Sequence, residues 1–193
     1  MAKLHFFYST MNAGKSTSLL QSNHNYLESN LKTLLFLPEE ISKKSGSKIV
    51  SRIGLKAKAK TINNLFKFYE YIETIDYKNI NCIFVDEAQF LTKAQVRDLS
   101  KIADEFNIPV MCYGIRTDFQ GELFDGSSEL LAIADNLNEL KTICSECDKK
   151  ATMVIRLDDS GKVILAGEKI LVGGNDIYKT VCRKHFRKLT GLI

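Results

Sequence analysis

The chain has 193 residues, 45% hydrophobic and 26% charged, which supplies one sizeable core with a small appendage and excludes a disordered polymer. Its formal charge of +4 is mild; it favours anionic small molecules but lacks the clustered basic stripe of a nucleic-acid binder. The sequence has no apolar run of bilayer-spanning length and no signal-peptide pattern at its start, so a soluble, cytoplasmic protein without membrane or nucleic-acid partners is expected.

Taken in chain order, apolar runs of strand length alternate with helical patterns over residues 1–140. Strands are expected at 3–9, 32–37, 81–86 and 109–114, with helical stretches after Lys15, near 65–72 and over 92–106. In the last of these, Val96, Leu99, Ile102, Ala103 and Phe106 make one apolar stripe, and Thr92 with Gln95 makes a capping box. Such alternation predicts an α/β fold built on a parallel sheet covered on both faces. Residues 39–60 are rich in Ser, Lys and Gly with little periodicity, and read as a mobile loop or partly formed insertion. After residue 140 the texture changes to short strands and turns, notably 151–165 and 169–174, which predicts a separate small β domain over 141–193.

The first strand runs into Ser9, Thr10, Met11, Asn12, Ala13, Gly14, Lys15 and Ser16, which fits G-x-x-x-x-G-K-S/T except that Ser9 replaces the opening glycine. In such a loop backbone amides cradle phosphate oxygens, the following helix adds its positive end, Lys15 reaches the β and γ phosphates, and Ser16 holds Mg²⁺. Gly14 gives the backbone room to approach. Chance turn chemistry is the alternative; the strand before, the helix after and an acidic strand end downstream weigh against it. The fold class expected is therefore a P-loop NTPase-like parallel sheet flanked by helices, with residues 1–140 as the nucleotide-binding domain.

The 81–86 strand ends in Asp86 and Glu87, followed by Ala88 and Gln89. Strand ends line the ligand crevice in such sheets, so Asp86 is placed to help hold the metal at Ser16. Neighbouring side chains alternate in direction, which leaves Glu87 free to act as general base on an acceptor hydroxyl. An exposed acidic turn opening the next helix is the rival explanation. The whole reading requires the tips of the 3–9 and 81–86 strands to sit side by side.

Five cysteines are an odd number for a disulfide framework. Cys82 and Cys112 fall in apolar strands and read as inert core thiols. Cys144 with Cys147 and Cys182 with His185 form two hooks, each with two intervening residues, a spacing that closes a tetrahedron around a structural Zn²⁺.

These motifs, together with Gly-Ile-Arg-Thr-Asp-Phe-Gln-Gly-Glu-Leu-Phe at 114–124 and Val-Gly-Gly-Asn-Asp-Ile-Tyr at 172–178, resemble in order and over essentially the whole chain the type II thymidine kinases, in particular the bacterial branch. The resemblance implies transfer of the γ-phosphoryl group of ATP to the 5′-hydroxyl of thymidine, with Mg²⁺ as cofactor and Zn²⁺ as structural metal. It implies ATP contacts at Ser9 to Ser16 and at Asp86, Glu87, Ala88 and Gln89, with Glu87 as catalytic base. Phe119 would pack on the thymine, a lasso-like loop at Lys169, Ile170, Leu171, Val172 and Gly173 would cover the nucleoside, and Tyr178 would hydrogen-bond near the acceptor. From the residues alone, Phe119 as core filling and Gly173–Gly174 as an ordinary turn stay open. A homotetramer and feedback by dTTP are also implied, while the choice between thymidine and deoxyuridine stays open. The chain departs from the family pattern at Ser9 and at Ile41-Ser42-Lys43, where an Asp-x-Arg element is usual. Two other readings compete: a P-loop ATPase with a zinc ribbon acting on DNA, and a zinc-dependent binding module with a vestigial nucleotide loop.

Overall fold

The computed structural model describes residues 1–169 and 177–193, the Lys44 side chain excepted. In chain order the elements are β1 (Leu4–Ser9), α1 (Lys15–Glu28), β2 (Lys32–Pro38), α2 (Glu39–Ser45), β3 (Lys48–Val50), β4 (Lys56–Lys58), β5 (Lys60–Ile62), α3 (Phe68–Glu73), β6 (Ile80–Val85), α4 (Lys93–Glu105), β7 (Val110–Ile115), α5 (Asp125–Ile133) and β8 (Asn136–Glu139). There follow β9 (Thr142–Ile143), β10 (Lys150–Ala151), β11 (Met153–Leu157), β12 (Val163–Ile164), β13 (Tyr178–Val181) and α6 (Arg183–Thr190).

The main sheet has six strands in the order β5-β2-β6-β7-β1-β8, all parallel. Alternate residues of its central strands feed two cores, as period-two geometry requires. Phe6, Ile83, Val85, Val110 and Cys112 pack with the inner sides of α3, α4 and α5. Cys82, Phe84 and Tyr113 pack with Leu19 and Leu20 of α1 and with Ile49 of β3. This doubly covered α/β sheet matches the expected fold class.

Helix α4 forms where the stripe placed it. Val96, Leu99, Ile102 and Ala103 are buried, and both bonds of the Thr92–Gln95 capping box are made. The Gln95 amide also donates to the carbonyls of Asn63 and Phe66, tying the loop ahead of α3 to this helix.

Residues 39–60 differ from expectation: they hold α2 and the antiparallel β3–β4 hairpin. Local periodicity is weak because the elements are short, but Ile49 is sunk in the second core, and the Ser42 hydroxyl bonds those of Ser47 and Thr61. The edge strands β5 and β8 are also additions; each is short and polar and takes its structure from the strand beside it.

The C-terminal strands β12-β11-β13 form an antiparallel sheet, and β9 pairs with β10. One side of β11 sends Met153, Ile155 and Leu157 into a core with Cys144, Val181 and Phe186 of α6, while Val154 joins Phe119 and Tyr178 on the other. The run expected at 169–174 lies outside the described residues except for Lys169.

Candidate active site

The loop after β1 begins with Ser9 in the strand itself, its hydroxyl donating to the Leu140 carbonyl at 2.7 Å. The left-handed backbone falls instead on Asn12 (φ 61°) and Gly14 (φ 74°), so the missing opening glycine is not needed for backbone freedom. A Cβ on Gly14 would meet no atom of the chain within 4 Å; what the position demands here is its positive φ. The Thr10 hydroxyl donates to the Met153 carbonyl at 3.0 Å, fastening the loop to β11. Lys15 is buried, and its ammonium donates to the Thr10 carbonyl at 2.7 Å. Burial lowers its proton affinity, opposed by the charges of Glu87 and Asp86.

The tips of β1 and β6 are not neighbours in the sheet: β7 lies between them, pairing Val110 with both Leu4 and Ile83. In a doubly wound sheet spatial order departs from chain order, and the two tips are two strand spacings, roughly 10 Å, apart. The side chains nevertheless converge. The Ser16 hydroxyl and the Lys15 ammonium both lie close enough to the Asp86 carboxyl to favour its charged form. Burial, then the charge of Glu87, pushes Asp86 up to about 7. Asp86 Oδ1 is buried without a hydrogen-bond partner among the described residues. A buried carboxylate oxygen with an unused lone pair beside a serine hydroxyl fits the donor set of Mg²⁺.

Glu87 sits just past the end of β6 in a left-handed conformation, φ 51° and ψ 39°, which costs a non-glycine residue about 1–2 kcal/mol. The following turn is clamped from outside: a Cβ on Gly126 of α5 would lie 2.4 Å from the Ala88 carbonyl oxygen. Gln89, 2% exposed, donates from Nε2 to Glu87 Oε2 at 2.5 Å and accepts at Oε1 from the Ile115 amide at 3.1 Å. Both ends of the Gln89 amide are therefore engaged within the chain, and together they orient the Glu87 carboxylate.

A cleft of about 570 Å³ brings these parts together; Lys15, Ser16, Glu87, Gln89, Phe119, Lys169 and Tyr178 all line it. Phe119 reaches it on a tight turn in which Asp118 Oδ1 accepts the amides of Gln120 and Glu122. Of the remaining expected residues, Met11, Asn12, Ala13 and Gly14 line the cleft, Ser9, Thr10, Asp86 and Ala88 are buried, and Ile170, Leu171, Val172 and Gly173 lie outside the described residues. Sequence reasoning missed Ile41, Val50, Arg52 and Ile53, which the α2 and β3–β4 region contributes to the cleft. Arg52 lies near enough to Lys15 to lower its basicity. Lys43, in place of the arginine of the family element, pairs instead with Glu39 on α2 at 3.3 Å. No periodic signal marks Arg52; it is one cation in a cation-rich stretch.

The four expected zinc ligands meet at the other end of the C-terminal sheet, with their ligand atoms within 4.8 Å of one another. Cys147 Sγ lies 3.9 Å from Cys182 Sγ, and His185 Nδ1 lies 3.5 Å from Cys144 Sγ and 3.4 Å from Cys182 Sγ. Tetrahedral Zn²⁺ would require edges of about 3.8 Å between sulfurs and about 3.6 Å between sulfur and nitrogen, so the donor set fits that ion. The Glu146 amide donates to Cys144 Sγ, and Cys182 immediately precedes α6, which places His185 in the helix's first turn. Cys82 and Cys112 stand apart as core thiols; burial pushes Cys82 up to about 12 and Cys112 higher still.

A strand–loop–helix of phosphate-binding type facing a buried carboxylate and a glutamate, with aromatic side chains lining the same cleft, is an arrangement suited to phosphoryl transfer. The thymidine kinase family model matches residues 2–186. Proteins named thymidine kinase from Coxiella burnetii and Rhodopirellula baltica are 56% and 52% identical, covering 97% of this chain and 96% and 89% of their own lengths. A third, from Pasteurella multocida, is 50% identical over the full length of both chains. The chain belongs to the thymidine kinase family and is a nucleoside kinase, a phosphotransferase.

Proposed function

We propose that the protein transfers the γ-phosphoryl group of ATP to the 5′-hydroxyl of thymidine, giving dTMP and ADP for DNA precursor supply. The observation that carries this is the convergence of Lys15, Ser16 and Glu87 with Phe119 and Tyr178 in one cleft. The ATP phosphates lie along residues 9–16, and residues 86–89 close the site opposite them. Mg²⁺ held by Ser16 and Asp86 would offset charge on the β and γ phosphates. Glu87 accepts the 5′-hydroxyl proton as that oxygen bonds to the γ-phosphorus and the bond to the β–γ bridging oxygen breaks. Lys15 leaves its loop carbonyl to meet the transferring oxygens. Phe119, Tyr178 and the segment beginning at Lys169 hold the nucleoside.

Residues 1–140 serve as the nucleotide-binding domain and residues 141–193 as a zinc-stapled domain carrying the acceptor-covering loop. The four ligands Cys144, Cys147, Cys182 and His185 leave no open position, so Zn²⁺ would be structural. Homotetrameric assembly and inhibition by dTTP belong to the same reading through the family resemblance.

The test supplies γ-labelled ATP and Mg²⁺ with thymidine, deoxyuridine or DNA. Labelled dTMP is expected; DNA-stimulated release of phosphate with no labelled nucleotide would support the rival ATPase reading. The deoxyuridine arm measures acceptor breadth.

A further inference from the structure

We propose that Arg156 is a positioning residue for the acceptor nucleoside, bracing the Phe119 ring and the 165–169 segment against each other. The proposal rests on the reading of Phe119 and Lys169 as acceptor-site residues.

Arg156 is 5% exposed, and among the described residues no carboxylate lies within ion-pairing distance of it. Burying a guanidinium without a counter-ion is costly, so stability alone is a poor reason for an arginine here. Its contacts are geometric instead. The guanidinium lies over the Phe119 ring, 4.0 Å from the centroid. Nη1 donates to the Glu168 carbonyl at 2.7 Å and Nη2 to the Ala166 carbonyl at 3.4 Å.

The register explains why this position reaches both partners. On β11, Arg156 pairs across to Tyr178 of β13 and to Ile164 of β12, and directly opposed residues share a face of the sheet. Val154, two residues earlier on the same face, packs with Phe119 and Tyr178. The 165–169 segment has further ties on either side of Phe119: Gln120 Nε2 donates to the Leu165 carbonyl at 3.0 Å, and Lys169 Nζ lies 3.6 Å from Asp118 Oδ2. Those ties run to the residues flanking Phe119 in sequence, whereas Arg156 holds the ring itself and the segment together. A planar fork with fixed donor directions does this; a lysine keeps the charge but not the paired donors.

The test compares Arg156→Met, Arg156→Lys, Gly167→Ala and a Phe119→Leu reference, with thymidine and ATP varied separately and the melting midpoint recorded. Gly167 is exposed at φ 133°, a backbone value that strains alanine, and a Cβ there would come 2.5 Å from Arg156 Nη2, so its substitution disturbs the contact between the guanidinium and the 165–169 segment from the exposed side. Arg156→Met and Gly167→Ala should raise the thymidine KM on the order of tenfold while the ATP KM stays within about twofold, and Arg156→Lys should recover part of the loss. If Arg156→Met fails to fold, Gly167→Ala decides on the same readout. An unchanged thymidine KM in the decisive variant, alongside a raised one in Phe119→Leu, overturns the proposal; a lower melting midpoint alone would be structural support only and likewise overturns it. An unchanged value in Phe119→Leu would sink the acceptor-site reading itself, and this proposal with it.

Discussion

At the scale of single residues, the site depends on groups held in states that water would not favour. Asp86 is the clearest case: burial and the neighbouring Glu87 raise it from 3.8 to about 7. The folded chain binds this proton more tightly than the unfolded one, so the associated stability is fully present below about pH 4 and is lost as pH rises through about 7. The ligand-free Asp86→Asn variant should therefore out-melt wild type by a margin that widens by several degrees between pH 5 and pH 8. A melting difference that does not change between those pH values would show that Asp86 does not carry the burden. The candidate residues that meet in the cleft and in the Cys/His cluster were nominated by the sequence, since phosphate loops and Cys-x-x-Cys and Cys-x-x-His hooks have fixed spacing. Arg52 and Arg156 were not, because the chain brings them to their neighbours only on folding: the charge of Arg52 acts on Lys15, and Arg156 donates to the Glu168 carbonyl.

At the scale of elements, function depends on how secondary structure is butted together. The turn after Glu87 is pressed by the start of α5, where a Cβ at Gly126 would also lie 2.8 Å from the Leu91 carbonyl oxygen and 3.0 Å from that of Gln89. Backbone cannot yield as a flexible side chain does. Gly126→Ala should destabilise the fold by about 1–3 kcal/mol and lower kcat more than it raises either KM, measured by denaturant unfolding and steady-state kinetics. Wild-type kcat in this variant would mean that the turn can shift without disturbing Glu87. The strongly periodic elements were legible: β1, β2, β6 and β7 for their apolar runs, α4 for its stripe and capping box. The β3–β4 hairpin and edge strands were not, because short polar strands take their structure from tertiary partners. Strand order was equally hidden, which is why β7 between β1 and β6 came only from the structure.

At the scale of the whole molecule, the parallel sheet and the C-terminal sheet are tied across the phosphate loop. Thr10 bonds Met153, Arg116 bonds Thr152, and the Thr142 hydroxyl donates to the Asn12 carbonyl. Damage to the zinc cluster should therefore reach the cleft through β11. Cys147→Ser is expected to lower bound zinc well below one equivalent per chain and to raise the thymidine KM on the order of tenfold or more, with ATP binding less affected. Full zinc content with unaltered kinetics would show that the cluster is dispensable. Among the described residues no helix is long and apolar enough to cross a membrane.

The central claim is that Glu87 takes the acceptor proton in a cleft where the nucleotide is held by other groups. It is tested most directly by turnover of Glu87→Gln, with ATP affinity measured by equilibrium binding on the same preparation. Substitution by the neutral amide should leave ATP affinity near wild type and reduce kcat by roughly 10²–10⁴-fold. A variant that binds ATP normally and phosphorylates thymidine at the wild-type rate would contradict the account.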